Sequence, residues 1–508
     1  MKKFYITTTL PYVNADPHIG FALEVIQADV IARYKTLQGF EIFFNTGTDE
    51  HGTKIYEKAK ESKLPPEKYC DEYAERFKKL KEKLNLTYNN FIRTTDDHHI
   101  KAVQKFWKKC QENGDIYKRN YKAKYCVGCE MEKTDSELEN GRCPLHPNRK
   151  LEIIEEENYF FRFSKYQKPL LDFYKKHPDF VIPKHRYNEV IKFVEKGLKD
   201  FSASRLKEKM PWGIEVPDDP DHVMYVWFDA LINYISCLGW PDNKKKFNNF
   251  WPGVQVAGKD NLRQQAAMWQ AMLLSAGLPH SKQIFIHGFI TADGQKMSKS
   301  VGNVINASDL VKKYGTDATR YFLLREIPDY EDGDFTYKRF EERYNSDLAN
   351  DLGNLLNRTL TMIEKYCDGK IPKSTKDSEF SKQCEETWKK IDELMKVYKF
   401  SQILEEVFRL LSKANQYIDE KKPWELAKEN EKEELEKVLY NLAETLRQFG
   451  IMLYPFIPNT SDKTREQLGL SEIDIKDFDF EKEKNWGELK SGIEIKKGKT
   501  LFPRLGNQ

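Results

Sequence analysis

The sequence predicts an α/β protein: a parallel sheet covered by helices, split by an inserted segment and followed by a bundle of helices. Three observations carry this. Strand-like and helix-like runs alternate over residues 1–115 and again over 223–344, and such alternation builds a parallel sheet. Residues 116–222 interrupt the alternation and hold a cysteine cluster. Over 345–508 the strand signal fades, and apolar residues recur at the helical period beside dense Lys/Glu faces.

The elements follow in order. Phe4-Tyr5-Ile6-Thr7-Thr8-Thr9-Leu10 has a strand's β-branched and aromatic composition. The turn-rich Asn14-Ala15-Asp16-Pro17 follows. Ile19, Ala22, Leu23, Ile26, Val30 and Ile31 then recur at helical spacing, and Gly39 stands where a C-terminal cap is expected. A strand at 41–45 leads into the loop Thr48-Asp49-Glu50-His51-Gly52. Inside the insertion, Tyr159-Phe160-Phe161-Arg162-Phe163 is β-like. Strands are expected at 223–227, 253–257 and 283–290, with one long amphipathic helix at 261–276 and a turn at Ala292-Asp293-Gly294-Gln295. Helices are expected at 350–366, 400–420 and 432–454; the residues beyond about 470 carry no clear pattern.

A chain of 508 residues is too long for one core. With 83 basic and 80 acidic residues, the bulk charge of +3 announces no nucleic-acid partner, so any RNA must find a local basic face. No apolar run approaches the roughly 18 residues of a membrane span, and the chain opens directly on a core strand. A soluble, cytoplasmic protein is expected. Cys70, Cys110, Cys237, Cys367 and Cys384 are scattered in apolar contexts and read as small core residues. Cys126-x-x-Cys129 and Cys143-x-x-His146 are different: three thiolates and one imidazole suit tetrahedral zinc, and a complete four-ligand set is structural.

Two short motifs bear on chemistry. Pro17-His18-Ile19-Gly20 opens a helix directly after a strand, where free backbone N–H groups and the helix dipole favour an anion. Lys296-Met297-Ser298-Lys299-Ser300 follows the strand at 283–290 and places two ammonium groups three residues apart on a loop. Singly, His18 also reads as a helix-entry residue and the lysines as a solvated basic turn. Together, each just past a strand end, they suit a triphosphate gripped from two sides, and hence activation of a substrate by ATP.

The pair resembles the two signatures of class I aminoacyl-tRNA synthetases. Leu10-Pro11-Tyr12-Val13-Asn14, Gly47-Thr48-Asp49-Glu50-His51-Gly52, Tyr225-Val226-Trp227-Phe228-Asp229-Ala230 and Gly258-Lys259-Asp260 resemble the methionyl-tRNA synthetase family, and Lys422-Pro423-Trp424 resembles its anticodon-reading element. The resemblance implies a Rossmann-type catalytic domain split by a zinc-containing connective insertion, then an α-helical bundle that binds the anticodon. It implies a monomer that uses ATP with Mg²⁺, methionine and tRNA(Met). His18, Lys296 and Lys299 would be catalytic. Pro17, Ile19, Gly20, Gly258, Asp260, Met297, Ser298 and Ser300 would join them around ATP. Leu10, Tyr12, Asp49, Trp227, Ala230, Tyr234 and Gln265 would hold methionine, with Asp49 on its ammonium. Asn354, Arg358 and Trp424 would read the anticodon. From the residues alone, Trp227 and Tyr234 also read as core, Asp260 as a helix N-cap, and Trp424 as a helix-start aromatic. Two positions depart from the family pattern. Phe21 replaces the second histidine of the first signature, which shifts load to His18 and the lysines. Gln264-Gln265 replaces a Phe-His pair that lines the methionine pocket, so that Gln265 offers an amide in place of an imidazole.

Overall fold

The run after Met1 forms strand β1 (Lys3–Thr8), buried from Phe4 onward. In the computed structural model, which describes residues 2–133, 135–297, 302–373, 378–473 and 478–506, this strand sits in the middle of a six-stranded sheet. The others are β2 (Glu41–Thr48), β3 (Asn90–Arg93), β4 (Val181–Ile182), β5 (Val254–Gly258) and β6 (Gln283–His287). Their order is β3-β2-β1-β5-β6-β4, and every pairing is parallel. Ile6 lies opposite Phe44 on one side and Val254 on the other. From β1 the chain builds outward to β3, then returns to add β5 on the opposite side. The crevice above that reversal is the ligand site of an open parallel sheet. Helix α1 (Ile19–Leu37) follows β1 and is buried along most of its length, with Glu24, Gln27, Asp29 and Arg33 buried among its apolar residues.

The expected α/β fold with a helical C-terminal domain is therefore present, and three local expectations are corrected. The strand expected at 223–227 ends at Met224, in a small antiparallel sheet with Ser204–Leu206. Tyr225 is the extended N-cap of a short helix, Val226–Ala230, whose Asp229 amide donates to the Tyr225 carbonyl. Aromatic and β-branched composition suited both states, and the tertiary pairing decided. The single helix expected at 261–276 is three pieces: a 3₁₀ turn (Lys259–Asn261), a π segment (Gln264–Met268) and an α-helix (Trp269–Ser275). π segments bulge a helix and mark functional sites. The run at 283–290 breaks at Gly288, where a Cβ would lie 2.1 Å from the Glu331 carbonyl oxygen.

In the inserted region, strands Ile116–Cys126 and Glu152–Phe161 form a long antiparallel arm that carries the cysteine cluster at its end. The same region supplies β4, so it is stitched to the edge of the central sheet. After Ile290–Ala292, a tight turn with Asp293 and Gly294 at positive φ (50° and 72°) returns the chain to Gln295–Lys296. Ser298, Lys299 and Ser300 lie outside the described residues.

Helices Asn354–Tyr366, Ser378–Met395, Phe400–Lys421, Lys432–Met452 and Pro458–Gln467 form the C-terminal bundle. One apolar core runs unbroken from α1 and the sheet into this bundle, including Ile26, Phe285, Phe322, Phe400 and Leu446. At the junction Arg320 is fully buried. It pairs with Asp29 of α1 at 2.8 Å and donates to the carbonyls of Leu84, Pro455 and Phe456 at 3.0, 3.0 and 2.7 Å. The same Asp29 oxygen also meets Arg33 Nε at 2.8 Å. Removing Arg320 takes away one of two cations from a buried carboxylate and leaves three carbonyls without their donor. Arg320→Ala is expected to cost about 3–5 kcal/mol, measured as a lower denaturant midpoint.

Candidate active site and metal centre

His18 is the N-cap of α1, with extended backbone, and its Nδ1 accepts the Gly20 amide at 3.0 Å. The remaining proton is therefore on Nε2, free to donate into the cleft. Although the residue is exposed, the cleft walls desolvate the ring and lower its pKa, which keeps it neutral. Gly20 explains the spacing of the motif: a Cβ there would lie 2.8 and 2.9 Å from the imidazole. Phe21 turns away and packs edge-on against Phe77, with ring centroids 5.3 Å apart.

The described flanks of the second motif meet this helix start. The Ile19 amide donates to the Ile305 carbonyl at 3.1 Å, and His18 forms a β-bridge with Asn306. Asn303 donates to the Lys296 carbonyl at 3.3 Å, Met297 packs against the core that contains α1, and Lys296 Nζ reaches the Leu145 carbonyl at 3.4 Å.

Between the two motifs lie groups that spacing did not reveal. Glu24, one turn into α1, accepts from the amide and hydroxyl of Thr9 at 2.8 and 2.6 Å and pairs with His287 at 3.0 Å. The other nitrogen of His287 meets the Gly288 carbonyl at 2.8 Å. Burial alone would lower the pKa of this imidazole, but Glu24 outweighs it and the net shift is upward. Asp260 lies inside its 3₁₀ turn and is not an N-cap. Its carboxylate folds back over Gly258, where a Cβ would lie 2.9 Å from it. Burial raises its pKa, and Lys296 partly opposes the rise.

Asp49 follows β2, bridged backbone to backbone with Tyr12. Its carboxylate is buried, with the Thr94 hydroxyl at 3.5 Å, and no cationic side chain pairs with it among the described residues. Desolvation, then Asp229 and Glu130, raise its pKa well above the carboxylate range. The Tyr12 hydroxyl and the Trp227 indole nitrogen are buried with no hydrogen-bond partner among the described residues. Leu10, Tyr12 and Trp227 lean on the apolar cluster that contains Tyr234, and Ala230 is buried beside them in sequence. Gln265 is already engaged: its oxygen accepts from Gln255 at 3.1 Å and its nitrogen donates to the Tyr234 hydroxyl at 2.6 Å. The expected free amide is thus spent on orienting Tyr234. Sequence reasoning also missed Asp229. It bridges His51 at 2.7 Å and His99 at 2.9 Å. Burial pushes its pKa up, but the two imidazoles hold it below the usual range.

The ligating atoms of Cys126, Cys129, Cys143 and His146 all lie within 4.8 Å of one another. Two turns present them: the Cys129 amide donates to the Cys126 carbonyl at 3.1 Å and the His146 amide to that of Cys143 at 3.0 Å. Gly128 has no room for a side chain, since a Cβ would lie 2.4 Å from the His146 ring. Burial and the nearby Lys54 and Lys296 bring the His146 pKa down to about 4, which favours the neutral, ligating form. This donor set fits a tetrahedral thiophilic ion with no position left open.

In the bundle, Asn354 and Arg358 are one turn apart on the same helix face. Arg358 donates to Asp419 at 2.7 Å, on the helix that ends just before Trp424. Trp424 is 37% exposed. Asn354 also lines an open cavity of about 540 Å³ with Asn350, Asn357 and Arg504.

The model of the family described as tRNA synthetases class I (M) matches residues 4–150 and 132–360, and that of the anticodon-binding domain of tRNA ligase matches 377–497. The fold is that of a class I aminoacyl-tRNA synthetase. A methionine–tRNA ligase of Caldanaerobacter subterraneus subsp. tengcongensis is 47% identical over 99% of this chain and 79% of its own length. That of Synechocystis is 42% identical over 99% and 97%. The structure of Mycobacterium tuberculosis methionyl-tRNA synthetase in complex with methionyl-adenylate superposes with a TM-score of 0.94 at 36% identity, over 99% of this chain and 100% of that one. Its apo form gives 0.87 at 34% identity, over 100% and 99%. The chain belongs to the methionine–tRNA ligase family.

Cys143→Ser should abolish stoichiometric metal, measured by elemental analysis of the purified protein. It should also make the arm 116–161 more sensitive to protease, because metal binding here is folding energy.

Proposed function

We infer that this chain activates methionine with ATP to methionyl-adenylate and transfers the methionyl group to tRNA(Met). The observation that supports this is the Ile19–Ile305 hydrogen bond, which joins the first signature to the flank of the second; Asp49 adds a buried carboxylate with no cationic side chain paired to it among the described residues. The similar Mycobacterium tuberculosis enzyme holds methionyl-adenylate, a molecule that spans such a cleft.

Asp49 receives the α-ammonium of methionine, while Trp227, Ala230 and Tyr234 enclose the thioether, with Leu10 and Tyr12 as the facing wall. Gln265 acts through the Tyr234 hydroxyl. The methionine carboxylate attacks the α-phosphorus in line, the bond to the bridging oxygen breaks, and pyrophosphate leaves. Pro17, Ile19 and Gly20 bring backbone against the phosphates. His18 Nε2–H, Lys296 and Lys299 donate to oxygens that gain charge, with Met297, Ser298 and Ser300 completing the loop. Asp260 accepts from the ribose hydroxyls beside Gly258. Mg²⁺ bound with ATP would neutralise part of the phosphate charge. A terminal ribose hydroxyl of tRNA then attacks the activated carbonyl and AMP departs. Asn354, Arg358 and Trp424 read the anticodon by hydrogen bonding and stacking. Cys126, Cys129, Cys143 and His146 would hold a zinc ion in a structural role. The chain works as a cytoplasmic monomer; no described helix is long and apolar enough to cross a membrane.

Amino-acid-dependent pyrophosphate exchange, run with each amino acid in turn, tests the reading: methionine alone should support it. Lys299→Ala should lower the exchange rate about 10²–10³-fold with methionine binding nearly intact. Trp424→Ala should depress tRNA charging and spare exchange. Asp49 must be ionised to hold an ammonium, and its pKa is raised. Methionine affinity should therefore fall as pH drops through the range where Asp49 protonates. Binding there should release protons, read by calorimetry in buffers of different ionisation enthalpy.

A further inference from the structure

Glu130 directly follows the metal ligand Cys129, has positive φ (49°) and is fully buried. The turn of the knuckle holds its backbone, since its amide donates to the Val127 carbonyl at 3.3 Å. Its side chain leaves the knuckle and reaches helix Thr53–Glu61. That helix begins at Gly52, which has no side chain to cap it. Glu130 Oε1 accepts the Lys54 amide at 3.1 Å and so supplies the missing cap from another part of the chain. Glycine at 52 is required: φ is +107°, and a Cβ would lie 2.7 Å from Glu130 Oε2. Lys54 closes the contact by donating through Nζ to the Gly128 carbonyl at 2.8 Å.

Gly52 ends the loop that begins at Asp49. The Glu130 carbonyl, meanwhile, accepts the Tyr225 hydroxyl at 2.7 Å, and Tyr225 caps the helix that carries Trp227 and Ala230. One residue of the knuckle thus touches both elements that form the methionine pocket. Its Oε2 is buried with no hydrogen-bond partner among the described residues, so this carboxylate is not accounted for by packing alone.

We propose that Glu130 is a positioning residue for methionine, which registers the Asp49 loop and the Trp227 helix against the metal knuckle. The proposal rests on the activity inferred above. The knuckle then sets amino-acid affinity as well as the shape of the insertion. ATP binding, at the other end of the cleft, does not depend on it.

The test compares Glu130→Ala, Glu130→Asp and Glu130→Gln in the full chain. The readouts are KM for methionine and for ATP in pyrophosphate exchange, methionine binding by calorimetry without ATP, and zinc per chain. Alanine removes the acceptor and aspartate withdraws it by one methylene, so both should raise the methionine KM and Kd about tenfold or more. Glutamine keeps an acceptor oxygen and should stay within about threefold. ATP KM and one equivalent of zinc should persist in all three. If alanine does not yield folded protein, aspartate carries the same comparison. An unchanged methionine KM with Ala or Asp would overturn the proposal. So would equal rises in both KM values, or a methionine effect that tracks lost zinc. A parent chain inert with methionine would instead remove the activity reading and this proposal with it.

Discussion

The Ile19 amide and the Ile305 carbonyl belong to segments far apart in the chain, and their hydrogen bond joins the start of α1 to the flank of the second motif. Much of the architecture serves to bring them together. A parallel sheet sends every strand out at the same edge, so the segments after β1 and β6 emerge on one side with only β5 between them, although an inserted region separates them in sequence. Glu24 braces the same place from below, tying Thr9 at the end of β1 to His287 at the end of β6. The charge of that imidazole is held by a carboxylate and a carbonyl, both pre-formed. Positioned donors and acceptors of this kind need little reorganisation when charge develops on a phosphate.

The other end of the cleft follows a different logic. Asp49, the Tyr12 hydroxyl and the Trp227 indole are buried and largely unmatched. Such groups destabilise a fold, and they persist because their surroundings are over-determined. Asp229 shows how: it grips His51 from the Asp49 loop and His99 from helix Asp97–Glu112, so three elements share one carboxylate. In the proposed reading, a ligand that brings an ammonium and an apolar tail would satisfy these groups, which is the chemistry of an amino acid with an unbranched side chain.

How much of this could be read from the chain depends on the range of each interaction. The start of α1, with His18 and Gly20, was legible because a cap and its helix are local. The Cys-x-x-Cys and Cys-x-x-His pairs were legible because turns set ligand spacing. Glu24–His287 and Asp229–His51–His99 were not, since nothing local distinguishes a buried carboxylate from a surface one before its partner is placed. The helix at Val226–Ala230 was misread as strand because aromatic and β-branched residues suit both, and only the end of the pairing with Ser204–Leu206 separates them. The π segment at Gln264–Met268 is invisible to a 3.6-residue period, yet it contains the glutamine that orients Tyr234. Lys299, the residue on which the two-sided grip leans most, lies outside the described residues, so its part rests on the flanks at Met297 and Ile305.

The two-residue strand Val181–Ile182 has a consequence for how this enzyme can vary. It pairs with β6 at what would otherwise be an open margin of the sheet, and unpaired margins recruit other chains. The inserted region therefore works as a selvedge as well as a carrier of the knuckle. A shortening of the insertion that took this hem with it would leave the margin of β6 open to strands from other copies of the chain.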